Sequence, residues 1–162
     1  MTPEEYVKKL IQLSLNKLEI LGQVLIETRR QSAVITEDSI EALQKSIDAK
    51  QELIDRIDKS DEAFSVYFER LKSIKKVNTL DQLNVHDIDG LSELRQIIEK
   101  IVITLREIEN VEQSNNKQAH NVLDKLATEI KKINNGKVAT SAYRASKYNA
   151  VAATTTYFDT KK

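Results

Sequence analysis

The residue types that most often perform catalysis or hold metal ions are few in this chain. Its two histidines, His86 and His120, are far apart in the sequence, and it has no cysteine. A metal site or an activated nucleophile requires several such groups brought together at suitable spacing. The three glycines, at positions 22, 90 and 136, are too widely separated to form a phosphate-binding loop. We therefore expect no enzyme activity, no metal site and no cofactor.

Charged residues are numerous, but the two signs are balanced and mixed. The chain has 25 basic and 25 acidic residues. Segments such as Glu52-Leu53-Ile54-Asp55-Arg56 place opposite charges at spacings that pair on the exposed face of a helix. A balanced charge disfavours nucleic acid or an anionic membrane as the main partner.

The first residues and the apolar runs bear on localisation. The N-terminal sequence MTPEEYVKKL has two glutamates where a signal peptide carries basic residues. No apolar run approaches the roughly 18 residues of a membrane span. The lack of cysteine fits a reducing compartment. We expect a cytoplasmic protein that does not insert into membranes.

The remaining chemistry is recognition by aromatic side chains near the C-terminus. Residues 137–162, named here the C-terminal segment, contain three of the five tyrosines, and half of their positions are Ala, Ser or Thr. The segment has five basic residues and one acidic residue. Alone it lacks the apolar stripe needed to order a chain, so we expect it to be disordered or conditionally helical.

As a helix, the C-terminal segment would place Tyr148, Val151 and Phe158 on one face and Tyr143 and Tyr157 on an adjoining one. Aromatic anchors among small residues are typical of segments that dock along the helices of a partner. On these residues alone, a flexible terminus without a partner is the alternative.

Three long amphipathic helices are predicted before this segment. Thr2, Pro3 and Glu5 form a capping-box sequence at the start of the first helix, which we expect at 3–33. Thr36 is the expected N-cap of a second helix at 37–75. Residues 76–89 form a long connection with a short helix expected after Thr79, and a third helix is expected at 90–135, before Gly136.

Apolar residues repeat at three- and four-residue spacing in all three predicted helices. On the second and third helices the repeats form heptad seams, which are interrupted by polar residues at Lys50, Glu112 and Asn115. In an antiparallel pair these residues lie at similar distances from the connection, so we predict that Lys50 meets Glu112 and Asn115. Exposure of the Lys50 amino group to solvent is the alternative.

Together these patterns predict an all-α fold, namely an elongated antiparallel three-helix bundle or coiled coil over residues 1–136. Residues 137–162 follow as a tail or short extra helix that binds a partner. Gly22 interrupts the first helix, where it could permit a close helix crossing or simply be tolerated.

Three stretches resemble one known family. They are Leu21-Gly-Gln-Val-Leu25-Ile26-Glu27, Ile40-Glu-Ala-Leu43 and Ala49-Lys50-Gln51-Glu52-Leu53-Ile54-Asp55. They are similar to the FlgN family of bacterial flagellar export chaperones for hook-associated proteins. Tyr143 after the third helix and the ending Tyr157-Phe158-Asp159-Thr160-Lys161-Lys162 resemble clostridial and bacillar members, that is, a Firmicutes-like protein. The Pro-Gly that often follows the tyrosine in such proteins is absent here.

The resemblance implies a cytoplasmic chaperone that captures terminal helices of the hook-filament junction proteins, prevents their premature assembly and delivers them to the flagellar type III export gate. The sequence leaves a homodimer open. The residues expected to bind the client are Ile130, Ile133, Tyr143, Tyr148, Val151, Tyr157 and Phe158.

Two alternatives remain at this stage. An Ala/Ser/Thr-rich end behind long helices is also found in helical subunits that self-assemble through their termini. A generic coiled-coil adaptor is the other alternative. Self-association separates them, because a filament subunit should polymerise, whereas a chaperone should stay small and bind one client.

Overall fold

The computed structural model describes residues 1–36 and 38–135. These residues form three α-helices and one short 3-10 helix. The α-helices are α1 (Pro3–Val34), α2 (Ile40–Lys75) and α3 (Leu91–Asn134), and the 3-10 helix is Leu80–Gln82. The described part of the chain contains no strand. The predicted all-α helical bundle is confirmed.

The start of α1 is fixed by the capping box that its sequence predicted. The backbone N–H of Thr2 donates to Glu5 Oε2 at 2.7 Å, and the backbone N–H of Glu5 donates to Thr2 Oγ1 at 3.2 Å. The pKa of the Glu4 carboxyl is lowered because it accepts hydrogen bonds, first from its own backbone N–H and then from the Thr2 side chain. The two capping-box bonds between Thr2 and Glu5 satisfy two of the N–H groups that a helix start leaves unpaired.

The starts of the other two helices differ slightly from the expected positions. The second helix begins at Ile40 rather than 37, and the N–H of Leu43 bonds the carbonyl of Ser39 at 2.9 Å. The N-cap position therefore falls at Ser39 and not at the predicted Thr36. The short helix expected after Thr79 is confirmed at Leu80–Gln82.

The contacts among the helices divide the chain into two compact units. Unit 1 comprises Met1–Leu25 with Glu52–Arg106, and unit 2 comprises Ile26–Gln51 with Glu107–Lys162. Each α-helix contributes to both units.

Unit 1 contains a cluster of eight buried apolar side chains. Three come from α1, one from α2, two from the connection and two from α3: Tyr6, Val7, Leu10, Leu71, Leu83, Ile88, Leu91 and Leu94. Burial of a large apolar side chain contributes about 1.5–3 kcal/mol. Because Leu83 and Ile88 are among these buried side chains, the connection between α2 and α3 is part of the core of unit 1.

Residues on α1 and α2 pair in opposite order within unit 1. The rings of Tyr6 and Tyr67 lie 6.3 Å apart, whereas Lys17 Nζ reaches Asp61 Oδ1 at 2.7 Å. The two helices are therefore antiparallel in this unit.

The connection 76–90 is held by backbone and side-chain contacts. Arg95 Nη2 donates to the carbonyls of Leu80 at 2.8 Å and Leu83 at 2.5 Å. Gly90 has φ of 87°, and a Cβ there would lie 3.1 Å from Ile11 Cδ1. The left-handed backbone and the close approach to α1 both require glycine at this position.

The apolar cluster of unit 2 is smaller. Its buried members are Ile35, Leu43 and Ala119, with Val34, Ile47, Val122 and Leu123 packed against them. Leu43 lies on α2 and Ala119 on α3, while Lys50 pairs with Glu112, so α2 and α3 run antiparallel in this unit. Among the other described residues of unit 2, Ile108 and Leu126 are buried, and so are five polar ones, namely Thr28, Gln31, Lys50, Asn115 and Asn116.

The heptad register predicted for α3 is wrong in one detail. A heptad seam through Leu94, Ile101 and Ile108 includes Leu105, yet the side chain of Leu105 is 43% exposed, whereas that of Ile97 is buried. An α-helix has 3.6 residues per turn, so Ile97, Ile101 and Ile108 stay on one line while a strict heptad drifts away from it. A close helix crossing at Gly22 is also wrong, because no described atom lies within 4 Å of a Cβ built there.

Candidate partner-binding site and the buried polar layer

Two of the seven predicted client-binding residues lie on the last turns of α3. Ile130 and Ile133 are partly buried and continue the stripe that Ala119 and Leu126 begin at three-, four- and seven-residue spacing. Leu126 is fully buried, whereas the helix end at Asn134 is exposed. The apolar stripe of α3 thus reaches the point where the C-terminal segment begins.

The other five predicted residues lie outside the described residues. They are Tyr143, Tyr148, Val151, Tyr157 and Phe158. The conformation expected for Gly136 also lies outside them. Contact of these residues with a client stays a prediction.

The described part of unit 2 contains a group of polar side chains where a bundle normally buries apolar ones. We name this group the polar layer. It is contributed by all three α-helices and consists of Thr28, Gln31, Ser32, Lys50, Glu112, Asn115, Asn116 and Gln118.

Lys50 is the centre of this polar layer. Its side chain is only 1% exposed, and its Nζ donates to Glu112 Oε1 at 2.5 Å and to Gln31 Oε1 at 3.4 Å. The prediction that Lys50 meets Glu112 is therefore confirmed, and the solvent-exposed alternative is wrong. A buried ammonium requires such a partner because transfer of an isolated charge out of water is very costly.

Asn115, the second partner predicted for Lys50, belongs to the same polar layer and is bonded to α1. Its Nδ2 donates to the carbonyl of Thr28 at 2.9 Å, and its Oδ1 accepts from Ser32 Oγ at 2.5 Å. Gln118 Nε2 donates to the carbonyls of Ser32 and Ile35 at 2.9 and 3.1 Å. The last two carbonyls lie at the end of α1, so Gln118 acts as a cap for that helix.

Some atoms of the polar layer are buried without a protein hydrogen bond. Among the described residues, no group pairs with Gln31 Nε2 or with either side-chain polar atom of Asn116. Gln31 is fully buried, and Asn116 is 5% exposed. An unpaired buried polar group costs about 1–3 kcal/mol, so the polar layer lowers the stability of unit 2.

Sequence patterns predicted only part of the polar layer. Lys50, Glu112 and Asn115 stood out because they interrupt heptad seams. Thr28, Gln31 and Ser32 were missed, although they replace apolar residues where the stripe of α1 should continue. A search of α3 for polar residues beside the seam as well as on it would also have found Asn116, which is adjacent to the seam position Asn115.

The histidines do not take part in this arrangement. His120 is exposed on α3, and the backbone N–H of His86 bonds Asn84 Oδ1 in the connection. Within residues 1–36 and 38–135, no group of three His, Asp or Glu side chains could hold a metal ion. Over the same residues, none of the helices combines the length and apolar character needed to cross a membrane.

A comparison with protein families identifies the family of this helical bundle. The family model described as FlgN protein matches residues 1–150. The chain belongs to the FlgN family. The match includes all of the described residues and continues into the C-terminal segment as far as Ala150.

Membership of the FlgN family assigns the general role of the protein. It is a flagellar export chaperone, and its fold is the helical bundle described above. No curated protein and no solved structure matches the chain.

Proposed function

We propose that this FlgN protein binds the terminal helices of hook-associated proteins at the hook-filament junction. It keeps them from assembling before export and delivers them to the flagellar type III export gate. Binding takes place in the cytoplasm, on a surface formed by the end of α3 and the C-terminal segment. The proposed contacts are Ile130, Ile133, Tyr143, Tyr148, Val151, Tyr157 and Phe158.

The observation that carries the proposal is the extent of the family match. It does not stop at the end of α3 but continues through residue 150, which includes Tyr143 and Tyr148. The segment from Lys137 to Ala150 is therefore a part of the family pattern.

The chemistry of the surface supports the same partner. Ile130 and Ile133 offer a short apolar stripe at the end of a helix. Tyrosine supplies a large contact area at a low cost in conformational entropy, and small residues beside it allow close approach. An amphipathic helix from a subunit that has not yet assembled exposes the apolar face that such a surface binds.

A pull-down from the lysate of a flagellated host tests the proposal. Full-length protein is expected to recover hook-associated proteins, and a chain ending at residue 136 is expected to lose them. A full-length double variant, Tyr143→Ala with Tyr148→Ala, should reduce recovery by at least about tenfold, since loss of two aromatic contacts at a binding surface costs more than about 1.4 kcal/mol.

The matched control is Tyr67→Ala. Tyr67 is partly buried in unit 1 and packs against Tyr6, so its loss weakens the fold without touching the proposed surface. Recovery should stay unchanged at a temperature where circular dichroism shows this variant folded. Equal recovery by the full-length and shortened chains would contradict a role for the C-terminal segment, and polymerisation instead of client binding would favour a self-assembling subunit.

A further inference from the structure

The two parts of α3 are held in very different ways. Residues 91–106 belong to unit 1 and include four buried apolar side chains, namely Leu91, Leu94, Ile97 and Ile101. The longer part, residues 107–134, belongs to unit 2 and includes three, namely Ile108, Ala119 and Leu126. The density of buried apolar contacts along α3 therefore falls sharply after Arg106.

Polar contacts take the place of the missing apolar ones. Residues 107–134 are joined to α1 and α2 by the Lys50–Glu112 pair and by the hydrogen bonds of Asn115 and Gln118. Such bonds contribute little net stability, because each group bonds water equally well once the helix is released. Separation of α3 therefore loses less here than it loses in unit 1.

The buried side chain of Asn116 favours separation of this part of α3 from the other helices. Both of its side-chain polar atoms are buried without a partner among the described residues, and Gln31 Nε2 on α1 is in the same situation. Water can bond all three atoms when the helix moves away. These three unpaired atoms therefore favour the released state over the packed one.

We propose that residues 107–134 of α3 open from α1 and α2 of unit 2 in the native protein, while residues 91–106 stay packed. The polar layer is the device that sets this difference. Opening exposes Ala119 together with Ile35 and Leu43, which pack against one another in the packed state. A chaperone whose role is to cover the apolar helices of other proteins gains additional apolar surface by this route.

The opening is a property of the free protein and does not depend on the proposed client. Hydrogen–deuterium exchange of the full chain, followed by mass spectrometry, measures it directly. Amides within 108–124 are compared with amides within 94–105, which avoids the fraying end of the helix. The first group is expected to exchange at least about tenfold faster, as for a segment that opens below the global free energy of unfolding.

A pair of variants on α3 tests whether the polar layer is the cause. Asn116→Leu keeps the branching of the side chain and removes the unpaired atoms, so exchange within 108–124 should slow about three- to tenfold. Asn110→Leu makes the same chemical change at an exposed position of α3 and is the control for helix propensity. It should leave the ratio between the two groups of amides unchanged.

Three results would overturn the inference. The first is equal protection of the two groups of amides in the unsubstituted protein, which needs no variant to fold. The second is no slowing in Asn116→Leu, and the third is equal slowing in Asn110→Leu. Because no client is present, failure here leaves the proposed capture of hook-associated proteins untouched, and failure of the pull-down leaves the exchange result untouched.

Discussion

Lys50 shows how a buried charge depends on a partner of opposite charge. Its side chain is 1% exposed, and that of Glu112 is 16% exposed. Glu112→Gln removes the negative charge and leaves the ammonium buried, so the free energy of unfolding should fall by about 3 kcal/mol. The double variant Lys50→Met with Glu112→Leu removes both charges and should cost about 1 kcal/mol or less. Urea unfolding followed by circular dichroism measures both.

The control for this pair is Glu109→Gln on the exposed face of α3. It should change the free energy of unfolding by less than about 0.5 kcal/mol. If Glu112→Gln were as mild as this control, the pair would contribute little, and the buried charge would have to be held by its other partners.

Two glycines should respond in opposite directions to the same substitution. At Gly22 a Cβ meets no described atom within 4 Å, so Gly22→Ala should stabilise the protein by about 0.5–1 kcal/mol through helix propensity. At Gly90 φ is 87° and a Cβ would meet Ile11 and Val7 at 3.1 and 3.3 Å. Gly90→Ala should therefore destabilise by about 1–2 kcal/mol.

Thermal unfolding monitored at 222 nm compares the two variants with the unsubstituted protein. Gly22→Ala should raise the midpoint and Gly90→Ala should lower it. A lower midpoint for Gly22→Ala would mean that the position is needed for a close approach after all.

At the scale of the elements, the sequence predicted what depends on local spacing. The apolar periodicity of α1, the Thr2 and Glu5 capping box and the short helix after Thr79 follow from residues within a few positions of one another. The start of α2 was missed because Thr36 is a residue type that often caps a helix. In the structure, Ile35 is buried after the end of α1, and α2 begins only after Ser39. Tertiary packing decided between two acceptable local signals.

Only some contacts of the polar layer could be predicted from the sequence, because the others depend on tertiary packing. Lys50 and Glu112 could be paired because a regular antiparallel register links distant positions. Gln118 could not be assigned, since its bonds to the carbonyls of Ser32 and Ile35 depend on where α1 ends. Ile130 and Ile133 follow from the apolar stripe of α3, and their contact with a client stays a prediction.

The connection between α2 and α3 behaves as a structural element although it lacks regular structure. Leu83 and Ile88 are buried in unit 1, and Arg95 donates to two carbonyls of the connection. Both bonds come from the single nitrogen Nη2, and the shorter side chain in Arg95→Lys would not bring its ammonium to that position. The substitution should lower the free energy of unfolding by about 1–2 kcal/mol.

Limited proteolysis adds a local measurement to the unfolding experiment. Cleavage within residues 76–90 should become faster in Arg95→Lys. Arg106→Lys, on an exposed position of the same helix, is the control and should leave the cleavage rate unchanged. Unchanged cleavage in both variants would show that the apolar residues alone hold the connection.

For the whole molecule, the described apolar clusters and five of the seven proposed client contacts lie in different parts of the sequence. Both described apolar clusters and the polar layer are built from residues before 136. The C-terminal segment has more basic than acidic residues, so the rest of the chain is net acidic, since the total charge is zero. This division suggests that stability and client capture can be changed independently.

Removal of residues 137–162, as in the chain ending at residue 136, tests that independence directly. If the described clusters suffice for folding, the shortened chain should keep its helical circular dichroism, and its melting midpoint should shift by less than about 3 °C, which corresponds to about 1 kcal/mol for a chain of this size. Client recovery should nevertheless be lost. A midpoint lowered by more than about 10 °C would instead make the C-terminal segment part of the fold. Its tyrosines would then be explained by packing, and the reason to assign them to a client would disappear.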